Sequence, residues 1–206
     1  MKIGIAISYI LKALMVVLIL IAATRGQWSL AISGTLALLI CMLPAIINRR
    51  YDVALPLALD CLLTLALLIH IGGQVTRAYF ILPYYDTIAH FTSGALIAFM
   101  AFIVIYVLDK YWYGLTMDPY VMAFFVVITA MAVGVIWEFM EWASDLYLGT
   151  WSQRGNQDTM GDLLVDTLAA IVVAVGGVLL VKRGEMGKMT DGLGKFVDPK
   201  ARKKKL

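Results

Sequence analysis

Three segments place ionisable side chains at helical spacing inside otherwise apolar runs. Asp86 and His90 stand at i,i+4; Glu138, Glu141 and Asp145 at i,i+3,i+7; Asp158, Asp162 and Asp166 at i,i+4,i+8. At about 100° per residue each set covers less than about a quarter of a helix circumference, so each is a polar stripe. Carboxylates and imidazoles that project inward at this spacing from facing helices are how bundle proteins build metal sites. A histidine with several oxygens suits Zn²⁺, Mn²⁺ or Fe²⁺, and a mainly oxygen shell would admit Mg²⁺. A divalent metal ion is therefore the expected cofactor, with His90, Asp86, Glu138, Glu141 and Asp162 as its ligands. There are more acids than one ion needs, which fits two metals or one metal beside a catalytic base. Asp166 or Asp158 would be that base, activating water. Arg154 and Arg77, in loops, would hold a phosphate.

The elements that position these groups are read from hydropathy. The chain has 206 residues, 62% of them hydrophobic and only 15% charged, and its mean hydropathy of +0.86 excludes an ordinary soluble domain. The expected fold is an all-α, polytopic membrane helix bundle of six transmembrane helices, with spans near 3–23, 28–48, 53–72, 86–108, 120–145 and 159–181. Each is about 20 residues or more, enough at 1.5 Å per residue to cross a hydrocarbon core of about 30 Å. Residues 1–183 form the transmembrane domain and residues 184–206 a basic tail. Lys2 and Lys12 ahead of Ala22-Ala23-Thr24 could be read as a signal peptide, but the full length suits an uncleaved span. Cys41 and Cys61 lie in apolar runs without metal spacing and read as small buried hydrophobes.

Nine of the 17 Lys and Arg residues fall between Lys182 and Lys205. With six spans, Lys2, Arg49, Arg50 and Lys110 share the side of that tail, while Arg25, Arg77 and Arg154 lie opposite. The positive-inside rule then places both termini in the cytoplasm of a multi-pass cell-membrane protein. The run Lys200–Lys205 reads as a topology signal and a contact for anionic lipid headgroups. Nothing beside it stacks bases, so no nucleic-acid partner is expected.

In this topology the three stripes, joined by His70, converge on the outer half of the bilayer. A carboxylate deep in a span costs roughly 2.5–3.5 kcal/mol even on lenient insertion scales. The three outer arginines all lie in loops, so ion pairing within the chain is not expected to neutralise the acids. Bound cations, protonation or a water-filled bowl would have to do so. Some members have simpler readings. Asp86 and Asp145, at helix ends, suit solvated positions, Asp158 suits an N-cap, and His70 suits a hydrogen-bonded helix end. Asp60 stands apart midway along the third span, as packing support or a second polar spot. Trp137, Trp142, Trp151 and the neighbouring tyrosines read as an interfacial belt.

Three motifs, YDTIAHFTSG (Tyr85–Gly94), WEFMEW (Trp137–Trp142) and DTMGDLL (Asp158–Leu164), carry a resemblance. The chain resembles the YjdF-like family of uncharacterised polytopic membrane proteins, over its last three spans above all. The matching positions are Asp86, His90, Glu138, Glu141, Asp158 and Asp162; Asp166 is not carried over. The family brings no established activity. More loosely, acids and histidines at helix ends are similar to VanZ-like proteins and membrane-bound metal-dependent hydrolases. The expected function is a metal-dependent hydrolase or transferase acting on a lipid or lipid-linked substrate at the outer leaflet, with residues 146–158 as lid or substrate reader. A cation transporter or channel is the alternative, but the inner halves of the last three spans offer almost no polar side chain. A metal-stabilised scaffold or accessory subunit is the third reading.

Overall fold

The computed structural model describes residues 2–51, 55–112 and 116–197. All secondary structure among them is helical: α1 (Lys2–Thr24), α2 (Trp28–Tyr51), α3 (Leu57–Thr76), α4 (Ala78–Ile81), α5 (Tyr85–Tyr111), α6 (Pro119–Leu148), α7 (Asn156–Lys182) and α8 (Glu185–Val197). Six of these, α1 to α3 and α5 to α7, are long and apolar enough to cross a membrane. They are the six expected spans, five of them extended by a few residues at one end or both, and the third, expected over 53–72, shifted to Leu57–Thr76 because α3 starts after Pro56. Hydropathy stops where side chains turn polar, whereas the backbone stays helical until a capping residue ends it. At the start of α6, Pro119 is preceded by Asp118, whose carboxylate accepts from the Tyr120 amide at 2.8 Å. At its far end Gly149 adopts φ 65°, and Gly155, at φ 111°, precedes α7. Both angles favour glycine, so these two residues bound the connection between α6 and α7.

The chain divides into two compact units, one of residues up to Tyr85 together with the segment from Met189, the other of Asp86–Lys188. In the first unit α1, α2 and α3 bury Met15, Ala22, Ala31, Ala37, Cys41, Ile71 and Val75. Small residues at these contacts let helices approach where lipid supplies no hydrophobic drive. Cys41 is buried and Cys61 half-buried, both as free thiols. Asp60 has close partners: Lys12 Nζ lies 2.8 Å from its Oδ1, and Ser8 donates to its Oδ2. His70 is held in this unit by Tyr79 Oη at 3.1 Å and Gln74 at 3.0 Å.

In the second unit α5, α6 and α7 pack Ala98, Phe102, Met122, Val126, Ala130, Ala170 and Ala174 into one apolar core with Met186. Gly177 sits under the Phe102 ring, where a Cβ would overlap it. The outer faces of the spans expose Leu, Ile, Val and Phe throughout, as a lipid solvent permits. The segment after residue 184, expected only as a basic tail, begins as helix α8, in which Met186 and Thr190, one turn apart, are both buried. The basic run 200–205 lies outside the described residues.

Candidate metal centre

Within the second unit the three polar stripes meet. Helix α5 contributes Asp86 and His90, α6 contributes Glu138, and α7 contributes Asp158, Asp162 and Asp166. His90, Glu138, Asp162 and Asp166 are all less than a tenth exposed, and among the described residues they are the buried polar or charged side chains of this unit. One ligand atom from each of His90, Glu138 and Asp162 lies within 4.8 Å of the other two. Asp86, Asp158 and Asp162 form a second such group, so Asp162 belongs to both. Three ligands at the usual Zn²⁺ distances stand roughly 3.3–3.6 Å apart, so the first group needs to contract by only about 1 Å around an ion.

The imidazole of His90 links the levels of the site. Its Nε2 is 3.8 Å from both Asp86 Oδ1 and Asp162 Oδ2, while its Nδ1 faces Asp166 Oδ2 at 3.5 Å. A carboxylate behind one ring nitrogen, with the other nitrogen turned to the ligand group, is the arrangement that fixes a metal-binding histidine. Asp166 is thus placed behind His90 and belongs to neither ligand group. Two glycines admit it. A Cβ on Gly94 would sit 3.0 Å from the Asp166 Cα, and one on Gly134 would sit 2.9 Å from its Oδ2.

The connection between α6 and α7 folds back over the acids. Asp145 organises it: its carboxylate accepts from the Thr150 hydroxyl and from the Ser152 and Gln153 amides, the latter two at 2.8 and 2.9 Å. Gln153 then donates its side-chain amide to Glu138 Oε2 at 3.2 Å and to the Glu138 carbonyl at 3.3 Å. Arg154 reaches Asp86 Oδ2 with Nη2 at 2.7 Å, and its backbone amide donates to Asp158 Oδ2 at 3.1 Å. Ion pairing is not expected to neutralise the acids, yet Arg154 does pair with one of them, Asp86, because Asp145 turns the loop inward. Asp158 is the third residue of α7 and not its N-cap, which is Gly155; its carboxylate accepts from the Arg154 amide ahead of the helix.

The remaining candidates are placed differently. Glu141, half-buried, accepts the Trp137 indole at 3.0 Å and is in neither ligand group. Arg77 and His70 belong to the first unit; Arg77 has φ 61° at the end of α3 and its guanidinium lies 5.9 Å from the Phe80 ring centroid. Gln153, Gly94 and Gly134 were not singled out from the sequence. The glycines had a usable signal, since Gly94 follows His90 by one helical turn and Gly134 precedes Glu138 by one. Gln153 had none, because its position depends on a loop fold that periodicity does not report.

The donor set fits a divalent ion. Glu138 is 4% exposed and its Oε1 is buried without a hydrogen-bond partner; among the described residues the only other such atom is Gln27 Oε1. A buried carboxylate oxygen left bare is costly unless a cation or proton meets it. One imidazole and two carboxylates would give an ion three protein ligands, a number that in catalytic sites leaves a position for water or substrate.

Neither the curated proteins nor the solved structures yield a match to this chain. A family model described as "Predicted membrane protein (DUF2238)" matches residues 5–183, consistent with the YjdF-like resemblance of its last three spans. The match covers all six spans and every residue of the candidate centre, and the chain belongs to this family of membrane proteins.

Proposed function

We propose that this membrane protein is a metal-dependent hydrolase or transferase whose ion is held by His90, Glu138 and Asp162. The observation that carries this reading is the bare, buried Oε1 of Glu138 within reach of His90 and Asp162. A divalent ion held there would polarise a phosphoryl or acyl oxygen and lower the pKa of a bound water. Asp166 holds the His90 ring by its Nδ1 side, keeping Nε2 toward the ligand group. Gln153 restrains Glu138 through its other oxygen. Asp158, half-buried at the rim, takes the proton from water. The distribution of Lys and Arg turns the site toward the outer leaflet.

A lipid-linked substrate is supported by an apolar groove between two of the helices that carry the site, lined by Thr87, Ile88 and Phe91 of α5 and Val165 and Leu168 of α7. None of the acids lines this groove: on α5 its residues stand about 60–160° around the helix from Asp86 and His90, so it would hold an acyl or isoprenoid chain on the outer face of the α5–α7 pair. Catalysis is favoured over transport because the buried interior beyond the site is the apolar core of Ala98, Phe102, Met122, Val126, Ala130, Ala170 and Ala174. A cation crossing there would meet no buried polar side chain among the described residues of this unit.

The test uses purified protein in proteoliposomes with an internal Mn²⁺ reporter and phospholipid or polyprenyl-phosphate substrates. Metal-dependent release of a headgroup or phosphate, lost in Glu138→Gln and without Mn²⁺ entry, is the expected result. Mn²⁺ entry with no product would overturn the reading in favour of a transporter.

A further inference from the structure

The two ligand groups of the centre share Asp162, as the groups of a two-metal site do. Their remaining members differ sharply. In the first, Glu138 Oε1 has no donor among the described residues. In the second, Asp86 Oδ2 already receives the Arg154 guanidinium at 2.7 Å and Asp158 Oδ2 receives the Arg154 backbone amide at 3.1 Å. An ion meeting Glu138 through its Oε1 displaces no donor there. An ion bound through the Oδ2 atoms of the second would have to displace the Arg154 guanidinium from Asp86 and the Arg154 backbone amide from Asp158.

From this asymmetry we infer that Arg154 is a tethered cation filling the second position of the centre, so that the protein holds one divalent ion and one guanidinium in place of two metals. The inference rests on the metal reading above and specifies its stoichiometry. The loop is built for the role. Asp145 gathers the Thr150 hydroxyl and the amides of Ser152 and Gln153, which fixes the backbone just before Arg154. Gly155, at φ 111°, then lets the chain enter α7 directly after it. Arg154 is thus delivered from a braced turn, and its permanent charge cannot be titrated away near neutrality. A second dication beside the first would be repelled more strongly than one guanidinium is, and low local dielectric magnifies the difference. The Arg154 side chain is 36% exposed, so the centre keeps a fixed positive edge toward the surface while its dication lies beneath.

The test is Mn²⁺ titration of the purified full-length protein in detergent, by calorimetry and by electron paramagnetic resonance. The wild type is expected to bind one Mn²⁺ per chain with an uncoupled spectrum. Arg154→Gln is expected to bind a second equivalent and show a spin-coupled pair, and Arg154→Lys to remain at one. Two equivalents or a coupled spectrum in the wild type would overturn the inference, and that measurement stands if Arg154→Gln fails to fold. One equivalent in folded Arg154→Gln would also overturn it. No binding by the wild type or by Arg154→Gln would instead remove the metal reading itself, and this inference with it.

Discussion

Among the described residues two buried polar clusters lie in the transmembrane segments, one in each unit, and they are balanced in different ways. In the first unit Lys12, Ser8 and Asp60 close on one another: the ammonium contacts Ser8 Oγ at 2.7 Å and both Asp60 oxygens at 2.8 and 3.0 Å. One positive and one negative charge meet with their hydrogen bonds made, and nothing further is required of the environment. In the second unit Asp86, Glu138, Asp158, Asp162 and Asp166 are met by Arg154 and one histidine, and Glu138 Oε1 is left bare. A self-neutralised cluster supports packing, whereas an anionic surplus with a bare oxygen calls for protons or a cation from outside. Ionisable residues within a membrane therefore do not all announce a site; the local sum of charge separates the two kinds.

Substitutions that act on only one cluster sharpen this contrast. The largest effect is expected from His90→Ala or Asp162→Ala, each of which should abolish stoichiometric metal binding while leaving detergent-solubilised protein helical by circular dichroism. Next, Asp60→Leu should strand the Lys12 ammonium in the first unit and cost about 3–5 kcal/mol of stability. The double variant Lys12→Met/Asp60→Leu should recover most of this in thermal melts, and metal content should stay unchanged in both. If either variant lost its metal, the functional division between the clusters would fall.

Smaller effects follow around the centre. Asp166→Asn should keep the fold but weaken metal affinity by about 10–100-fold, the usual cost of losing a carboxylate behind a ligand histidine. Its histidine nitrogen NMR shifts should reveal a mixed tautomer, which a purely structural role would not produce. Gln153→Ala, removing one neutral donor from a carboxylate, should change affinity only several-fold, in keeping with about 1 kcal/mol for such a bond. An Asp166→Asn protein with wild-type affinity and an unaltered imidazole signal would return Asp166 to the role of base.

Much of this architecture was legible because lipid narrows the choices. Six apolar runs have to be helices, and acids at i,i+3 or i,i+4 have to share a face, so the grouping of Asp86, His90, Glu138, Asp162 and Asp166 follows from spacing. What escaped depended on contacts that periodicity does not encode. The pairing of Asp60 with Lys12 requires the register of α1 against α3. The inward turn of residues 149–155 requires Asp145 to collect a hydroxyl and two amides, which turned a residue expected to be solvated into the organiser of the loop. Glu141 shares the stripe of Glu138, yet the Trp137 indole one turn before it takes its carboxylate. The division of labour between Asp166 and the ligands likewise needed the orientation of the His90 ring, which spacing leaves free.

The central claim, that the anionic surplus of the second unit is met by a bound divalent ion, is tested most directly by elemental analysis of protein purified without chelator, wild type beside Glu138→Gln. The account predicts one equivalent of a divalent metal per wild-type chain and none in folded Glu138→Gln. Metal-free wild-type protein that stays metal-free in the presence of Zn²⁺, Mn²⁺, Fe²⁺ and Mg²⁺ would contradict it.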